Sequence, residues 1–403
     1  MQILHVRNLL QKENEMINMR EGLIMNFNLT KEQSLLQAMA RDFADKRLEP
    51  IARKIDEENK IPDEIFTEMG ELELFGIPIS EEYGGAGGGY DGYVMVMEQI
   101  ARVSGGVAMT MAAHTLGLGA IEKFGTEEQK KKYLPDACKG KTIASFAFTE
   151  PASGSDPKQL TSTAVKEGDF YIINGTKRFI SNANQPGPCV VFARESESGE
   201  VTAFIVEKWC EGYTISEPWA KVGMKGGVLV DIYMENIKVP AENLLGKLGQ
   251  GFPVLLYGIA LGKVGTSTAA LGGTLAALDE AVKYVKEKTH RGAPIAKFQA
   301  IQLKIADLKI KYETARWLCY RLGWLANDIK DPAAFAAEAA LAKAYCGDNV
   351  VEAARIAMDA HGSYGLMKDY NIERILRDAL IGPEIEGVTD MQKMIVAGSV
   401  LKG

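Results

Sequence analysis

The sequence contains few of the residues that mark metal sites and disulfide frameworks. Its four histidines, at positions 5, 114, 290 and 361, lie far apart and lack the spacing of metal ligands, so we predict no metal site. Its five cysteines, at positions 138, 189, 210, 319 and 346, form no CxxC pair and are odd in number. This pattern favours a reducing cytoplasm over a disulfide-stabilised secreted fold.

Long apolar runs and an excess of positive charge are also missing. No apolar run approaches the roughly 20 residues that a membrane-spanning helix needs, so we predict no membrane insertion. The net charge of −7 argues against a nucleic-acid partner, because phosphate binding requires a basic surface. What is present is an ordinary globular composition, with 403 residues of which 46% are hydrophobic and 25% charged. A chain of this length accommodates about two or three domains.

Residues 1–25 differ from the rest of the chain. They mix acidic and basic residues and contain no apolar core long enough for a signal peptide. We expect an extension that is disordered or forms a surface arm, or a start codon assigned upstream of the true one. Beyond it the pattern changes, because Thr30 followed three residues later by Gln33 predicts a helix start of the capping-box type.

The remaining chain divides into three parts by the spacing of its apolar residues. Residues 26–141 show helical spacing, residues 142–247 contain short runs typical of strands, and residues 248–403 return to helical spacing. The predicted strands lie at 170–173, 189–193, 202–206 and 228–233. Between the first two, Asn174-Gly175 predicts a hairpin turn. The order indicates an α+β fold with an N-terminal helical domain, a middle antiparallel β domain and a C-terminal helical domain.

A carboxylate in a late, glycine-flanked loop is the leading candidate for a catalytic base. Glu386 precedes Gly387 and follows a predicted helix that ends near residue 379. A carboxyl group in a dry site has a raised pKa and can act as a general base near neutral pH. Three alternatives remain open: Glu384 as the base, Asp91 as a second acid or base or a helix cap, and a structural helix-start role for Glu386.

Two earlier segments offer partners for a flat aromatic cofactor. Residues 146–156 place the hydroxyl of Thr149 near small residues at a strand exit, and residues 174–182 contain Phe179 and Ser181. The two-residue period of a strand puts Phe179 and Ser181 on one side. A flavin needs hydrogen-bond partners at its ring edges, which these hydroxyl groups can supply. Taken separately, the two segments also fit a surface loop and a plain hairpin.

In their order and spacing these segments resemble the acyl-CoA dehydrogenase family, and the resemblance extends from Asn26 to Lys402. It implies a C-terminal four-helix bundle, FAD as cofactor, an acyl-CoA substrate, an electron-transfer flavoprotein as partner and a homotetramer. It also implies that Glu386 removes the α-proton of the thioester. Some family members place the base on the helix that begins near Pro253, but Gly262 leaves no acid at that position.

The resemblance assigns further roles residue by residue. Cofactor contacts are implied for Phe146, Phe148, Thr149, Ser155, Phe179, Ser181, Arg291, Gln299, Asp359, Gly362, Ser363, Thr389 and Asp390. Substrate contacts are implied for Ser155, Lys263 and Gly387. Among the cofactor residues, Gln299 and the turn at 361–365 are expected to serve the flavin of a neighbouring subunit.

Several positions depart from the family pattern. Lys263 replaces the usual arginine on the long helix, Asp359 replaces a glutamine, and Phe179 replaces an indole. Ile385 replaces a bulky aromatic residue before the base, which predicts a wider pocket for a branched or cyclic acyl group. Small or flexible residues at 109, 111, 112 and 113 line this pocket or belong to the helix core. The alternative functions are an enoyl-CoA reductase, an acyl-CoA oxidase and a catalytically silent flavin-binding protein.

Overall fold

The computed structural model describes residues 28–154, 156 and 159–401. The predicted extension at 1–25 and the predicted contacts of Ser155 therefore lie outside the described residues. All five cysteines lie inside them and are free thiols.

Helices form the first part of the described chain. They are α1 Lys31–Phe43, α2 Ala52–Glu58, α3 Asp63–Glu71, α4 Gly89–Val103, α5 Gly105–Phe124 and α6 Glu127–Cys138, with a π-helical turn at Ala44–Leu48 and 3₁₀ turns at Glu49–Ile51 and Glu81–Tyr83. The predicted start of α1 is confirmed. The Thr30 hydroxyl accepts the N–H of Gln33, and the Gln33 side chain accepts the N–H of Thr30.

Strands form the middle part. They are β1 Ser145–Ala147, β2 Thr163–Glu167, β3 Phe170–Ser181, β4 Pro188–Glu195, β5 Val201–Glu207, β6 Tyr213–Ile215, β7 Leu229–Pro240 and β8 Leu244–Leu245, with a 3₁₀ turn at Ala241–Asn243 before β8. They build one eight-stranded sheet in the order β6-β7-β3-β2-β4-β5-β8, with β1 beside β4. Its pairs are antiparallel except β1–β4 and β2–β4, which are parallel. The predicted antiparallel β part is thus correct for most of the sheet.

The predicted hairpin turn at Asn174-Gly175 is wrong. Strand β3 runs through both residues and pairs with β7 on either side of a register shift at this point. Gly175 has a φ of 150°, and a Cβ there would lie 2.2 Å from the Ser162 hydroxyl. The glycine therefore serves a bulge with a close neighbour, and Asn174 accepts the backbone N–H of Asn236 across the strand pair.

Helices return in the last part. They are α7 Gly251–Glu287, α8 Gln299–Ala326, α9 Pro332–His361, α10 Ile372–Ala379 and α11 Thr389–Leu401, with the short strands β9 Thr289–His290 and β10 Ala293–Pro294 and 3₁₀ turns at Ile295–Lys297 and Gly362–Leu366. Helices α7, α8, α9 and α11 supply the predicted bundle. Helices α4 and α5 pack along α7, so one hydrophobic core joins the two helical parts.

Helix α7 is a long, mostly buried helix that runs through the interior of the protein. It is long and apolar enough to span a membrane by length and composition, and is the one such helix in the described chain. However, 83% of its most apolar window is buried inside the fold. The burial accounts for the apolar composition, since this helix contacts α4, α5, α8 and α9 at once.

Asp91 does not cap a helix. Helix α4 begins at Gly89, two residues earlier, so the predicted cap is wrong. The Asp91 carboxylate instead accepts hydrogen bonds from Gln33 Nε2 at 2.8 Å and Asn327 Nδ2 at 2.6 Å. It joins α1 to the residue that ends α8, which is a structural tie between the two helical parts.

Candidate active site around Glu386

The loop between α10 and α11 presents Glu386 in an unusual backbone conformation. Glu386 and Gly387 have φ angles of 52° and 87°, so both occupy the left-handed region. The loop is closed on itself by Thr389, whose N–H donates to the Pro383 carbonyl at 3.0 Å. The Thr389 hydroxyl also lies 3.2 Å from Asp348 Oδ1 on α9. The side-chain direction of Glu386 is therefore fixed by the backbone on both sides.

The Glu386 carboxyl group packs against a glycine of α7. A Cβ at Gly262 would lie 2.7 Å from Glu386 Oε2, so any larger residue there would have to displace the carboxylate. Gly262 is the position at which some family members were expected to carry the base and this sequence has no acid. The Glu386 carboxylate occupies the space beside this glycine. Glu384, by contrast, is exposed.

Two lysines set the charge around this carboxyl group. Burial raises the pKa of Glu386 above its ordinary value, and the positive charges of Lys263 and Lys343 oppose that rise. Lys263 is 3% exposed on α7, where burial lowers its pKa and the nearby Glu386 raises it. No described residue donates a hydrogen bond to the carboxylate, although the residue as a whole is half-buried. An unpaired carboxylate of this kind is suited to accept a proton from a ligand.

The end of strand β1 reaches the same stretch of α7. The ring of Phe146 packs against Gly258, where a Cβ would lie 2.7 Å from Cζ, and Gly258 precedes Gly262 by about one helical turn. The rings of Phe146 and Phe148 also lie 5.0 and 6.2 Å from that of Phe192. Both rings pack in or against a hydrophobic core cluster, so a cofactor contact of these residues, which stays a prediction, would be made by their backbone atoms.

Thr149 and Phe179 lie on neighbouring segments of the sheet. The Thr149 carbonyl accepts the N–H of Arg178 at 2.7 Å, which ties the exit of β1 to β3. Phe179 has a φ of 59° and is 51% exposed, whereas the next residue, Ile180, is 3% exposed. Ser181 is half-buried on the outward side with Phe179. The Thr149 hydroxyl makes no hydrogen bond to a described residue.

The remaining predicted cofactor residues form a second group. Arg291 lies in the turn between β9 and β10, Gln299 begins α8, and Ser363 follows the end of α9; all three are exposed. Asp359 is exposed and paired with Lys304. A Cβ on Gly362, at a φ of 59°, would meet nothing within 4 Å.

The second group is far from Glu386 within one chain. It surrounds the end of α7, where Tyr284 stacks on His361 at 4.2 Å and Lys288 Nζ lies 4.1 Å from the centre of the Tyr364 ring. Gly262 and Tyr284 are separated by about 33 Å along this helix, from a rise of 1.5 Å per residue. A single chain therefore does not bring the two groups to one point.

Thr389 and Asp390 differ from the other predicted cofactor contacts. Thr389 is buried, and its hydroxyl is engaged by Asp348 and the Pro383 carbonyl. Asp390 is exposed in the first turn of α11, 4.0 Å from Lys393. Their roles toward a cofactor stay predictions, as do those of the other site residues.

Sequence reasoning missed three side chains near these segments. Lys343 donates to the loop that carries Glu386, Trp219 packs on Phe179 with ring centres 5.3 Å apart, and Lys177 forms a buried ion pair with Glu150. All three come from elements distant in sequence from the motif they support. A lysine at a core-facing position of a predicted helix or strand was the available signal for the first and third.

The described residues fit a flavin. Phe179 offers an exposed ring, Thr149 a hydroxyl without a hydrogen-bond partner among the described residues, and Gly362 an open backbone. An anion can also approach the exposed Arg291 without displacing an ion-pair partner among the described residues. Flat aromatic surface, ring-edge donors and cationic or backbone contacts for phosphates are the features that such a dinucleotide requires.

Comparison with known proteins identifies the family. Models for the N-terminal, middle and C-terminal domains of acyl-CoA dehydrogenase match residues 30–141, 145–237 and 249–401. The chain belongs to the acyl-CoA dehydrogenase family, whose members are oxidoreductases that act on CH–CH bonds. The predicted family, fold class and enzyme class are confirmed.

Individual relatives cover almost the whole chain. The short-chain specific acyl-CoA dehydrogenase of Clostridium acetobutylicum is 37% identical over 382 residues, 94% of this chain and 100% of the relative. The CarC subunit of the caffeyl-CoA reductase-Etf complex of Acetobacterium woodii is 37% identical over 378 residues, 93% and 99% of the two chains. The acyl-CoA dehydrogenase of Bacillus anthracis, solved in complex with FAD, has a TM-score of 0.88 and 31% identity over 94% of this chain and 68% of its own. The predicted cofactor, FAD, agrees with the family.

Proposed function

We propose that this protein is an FAD-dependent acyl-CoA dehydrogenase in which Glu386 is the catalytic base. The observation that carries the proposal is the state of its carboxyl group: buried against Gly262, with a raised pKa, and without a hydrogen-bond donor among the described residues. Structural carboxylates in protein interiors are hydrogen-bonded, so an unpaired one at a loop tip is typical of a group reserved for a ligand.

The chemistry of the site follows from the positions of its own groups. When bound, FAD supplies the acceptor for the hydride that leaves the β-carbon of the acyl chain. Glu386 would take the α-proton, and its pKa, raised by burial, lies closer to working pH than that of an exposed glutamate. The backbone N–H of Glu386 makes no hydrogen bond to a described residue and is available to polarise the thioester oxygen. Gly387 and Lys263 would line the same slot as substrate contacts.

Binding of FAD would draw on both groups of residues. Thr149, Phe179 and Ser181 lie on the outward face of the sheet next to β1 and would hold the ring system, together with the backbone of residues 146–148. Arg291, Gln299, Asp359, Gly362 and Ser363 would hold the other half of the cofactor in a neighbouring subunit. The separation of about 33 Å along α7 supports this division, because one chain cannot supply both halves.

Exposed apolar side chains on α8 support self-association as a homotetramer. Leu303, Ile310, Trp317 and Trp324 are 68%, 63%, 41% and 68% exposed. They recur every seven residues, which places them along one stripe of the helix. A contiguous apolar stripe of this size is typical of a protein interface. Size measurement by light scattering on the purified holoprotein tests the proposal, and a monomer would contradict it.

The direction of the reaction and the electron partner are part of the proposal. We infer dehydrogenation of an acyl-CoA thioester, with an electron-transfer flavoprotein as acceptor in a cytoplasmic setting. A second candidate is enoyl-CoA reduction by the same site. It is favoured by similarity to a caffeyl-CoA reductase subunit, whose name also includes an Etf.

Anaerobic bleaching of the flavin tests the function. The purified yellow protein is mixed without oxygen with a panel of straight, branched, aromatic and alicyclic acyl-CoA esters, and flavin absorbance is followed. Bleaching by a saturated ester supports dehydrogenation, and the ester that bleaches fastest identifies the acyl class. Recovery of colour with an enoyl-CoA supports the reductase, and rapid recovery in air supports an oxidase. Absence of bleaching with every ester would contradict the proposal and favour a silent flavin-binding protein.

The residue before Glu386 bears on the width of the acyl pocket. Ile385 leaves more room before the base than a bulky aromatic residue does, which supports a branched or cyclic substrate. Met111 and Ala112 belong to the buried core, and Ala112 packs against Gly265 of α7. These two residues therefore support α5 from inside, and the panel of esters decides the pocket's width.

A further inference from the structure

Lys343 lies beneath the loop that carries Glu386. It is on α9, and its side chain is 1% exposed. Its Nζ donates to the Pro383 carbonyl and to the Gly387 carbonyl, each at 2.7 Å. These two carbonyls stand on either side of Glu386 along the chain. In the described part of the protein, no carboxylate lies within ion-pair distance of this ammonium group.

The loop directs its carbonyl groups toward Lys343. The Pro383 carbonyl also accepts the N–H of Thr389, and the Gly387 carbonyl also accepts Gln392 Nε2 at 3.0 Å. A glutamate at a φ of 52° is held only where its surroundings fix the backbone. Among the described residues, Lys343 is the single group that bonds to both the Pro383 and the Gly387 carbonyl, so it is placed to hold the left-handed turn.

The charge of Lys343 acts on the same carboxyl group. Glu386 is faced by Lys263 from α7 and by Lys343 from α9, and both favour its ionised form. Lys343 in turn is faced by Glu384, Glu386, Asp348 and Lys263. Burial lowers the pKa of Lys343 to about 8, so the ammonium form predominates at neutral pH. Burying a charged ammonium group without an ion-pair partner is unfavourable. Its presence here therefore indicates that the charge of Lys343 has a role.

We propose that Lys343 is a positioning residue for Glu386. Its ammonium group fixes the turn that presents the carboxylate, and its positive charge favours the ionised carboxylate that accepts the proton. The statement about proton transfer depends on the proposed function; the statement about the loop depends only on the contacts of Lys343.

Hydrogen exchange of the holoprotein tests the loop. Lys343→Met removes both donors, and Lys343→Gln keeps a donor without the charge. Lys54→Met, at an exposed lysine of α2, is the matched control. We expect the amides of residues 384–392 to exchange at least tenfold faster in Lys343→Met, with α4 and α7 unchanged, and an intermediate effect in Lys343→Gln. Unchanged exchange in both variants would overturn the positioning role.

The pH profile of flavin bleaching tests the charge. With an ester that bleaches the wild-type protein, both Lys343 variants should shift the rising limb of the rate to higher pH, because loss of a nearby cation raises the pKa of Glu386. A shift of about one unit lowers the rate roughly tenfold on the acid side of the limb. Lys54→Met should keep the wild-type profile. If the rising limb of the pH–rate profile stayed at the wild-type pH in Lys343→Gln, the proposed effect of the Lys343 charge on Glu386 would be overturned.

The hydrogen-exchange and flavin-bleaching experiments distinguish a failure of the Lys343 proposal from a failure of the proposed function. A wild-type protein that no ester bleaches would contradict the dehydrogenase function and remove the proton-transfer role of Lys343 with it. The exchange experiment needs no substrate and would still support or overturn the structural role. Should Lys343→Met fail to fold, Lys343→Gln carries both measurements.

Discussion

Two glutamates near buried lysines, the buried Glu150 and the half-buried Glu386, have carboxyl groups in opposite surroundings. The Glu150 carboxylate, next to β1, accepts five hydrogen bonds from described residues, one of them from Lys177 Nζ at 2.7 Å. Its pKa is lowered to about 2, since the charge and hydrogen bonds of its partners outweigh burial. Glu386 accepts none from a described residue, and its pKa is raised by burial. Lys343 bonds to carbonyls beside Glu386 and leaves the carboxylate itself free.

The difference separates a carboxylate that holds the fold from one that we propose takes part in chemistry. Lys177 also donates to the Phe192 carbonyl at 2.5 Å, so the pair with Glu150 locks β3 to β4. This lock fixes the segment that carries Phe179. At Glu386 the hydrogen bonds of Lys343 go to backbone carbonyls of the loop. The carboxylate oxygens stay available to accept a substrate proton under the proposed function.

The largest effect should come from breaking the satisfied pair. Lys177→Met leaves Glu150 buried with its charge uncompensated, which we expect to cost about 3–5 kcal/mol in the free energy of unfolding. Urea denaturation of the holoprotein measures it. Lys130→Met, at an ion pair on the surface of α6, should cost less than about 1 kcal/mol. Equal losses in the two variants would mean that the buried pair stabilises the fold no more than a surface ion pair does.

Removing the free carboxylate should affect activity and spare stability. Glu386→Gln should retain FAD and be no less stable than the wild-type protein at neutral pH, yet slow anaerobic bleaching about 10²-fold or more, because the proposed proton acceptor is lost. Glu384→Gln is the matched control and should bleach at nearly the normal rate. Near-normal bleaching in Glu386→Gln would return the role of base to Glu384 or another group.

A methyl group at Gly262 should displace the carboxylate without removing it. Because a Cβ would lie 2.7 Å from Glu386 Oε2, we expect Gly262→Ala to slow bleaching about tenfold by shifting the base from its position. Gly398→Ala on α11, where a Cβ meets nothing within 4 Å, is the control and should bleach normally. An unchanged rate in Gly262→Ala would mean that the carboxylate lies elsewhere when substrate is bound.

The smallest effect should appear in the pH dependence of stability. Glu150 has a pKa lowered to about 2 from 4.5, so its contribution is complete above about pH 4.5 and is lost as the pH falls toward about 2. Glu386 has a raised pKa, so its contribution is present below about pH 4.5 and is lost as the pH rises through the folded value. Between pH 3 and pH 8, the unfolding free energy of Glu386→Gln should therefore fall less toward the upper end of the range than that of the wild-type protein. A wild-type slope in that variant would place the carboxyl group in water.

Local signals predicted much of the fold and one part of the site. The capping box at Thr30 and the three-part periodicity are visible because they depend on neighbours within a few residues. The glycine at 262 was recognised as a missing acid, but the carboxylate that fills its space comes from 124 positions later. Sequence spacing carries no information on such contacts.

The errors have the same origin. Asn174-Gly175 is a strong turn signal, yet the pairing of β3 with β7 on both sides keeps the strand continuous, and the glycine admits Ser162. Asp91 has the chemistry of a cap, but the helix starts earlier and the carboxylate bonds to Gln33 on α1 and to Asn327 just after α8. In both cases tertiary contacts override a local preference.

The length of α7 has a consequence for how active centres are shared. The first half of this helix lies against Glu386, the proposed proton acceptor, and its far end supports residues proposed to complete the centre of a neighbour. Chains inactivated at opposite ends should therefore complement each other when co-assembled, since a hybrid pair regains one centre in which both contributions are intact. Catalysis would then require the assembly, because each chain would supply Glu386 to one active centre and cofactor-binding residues to another.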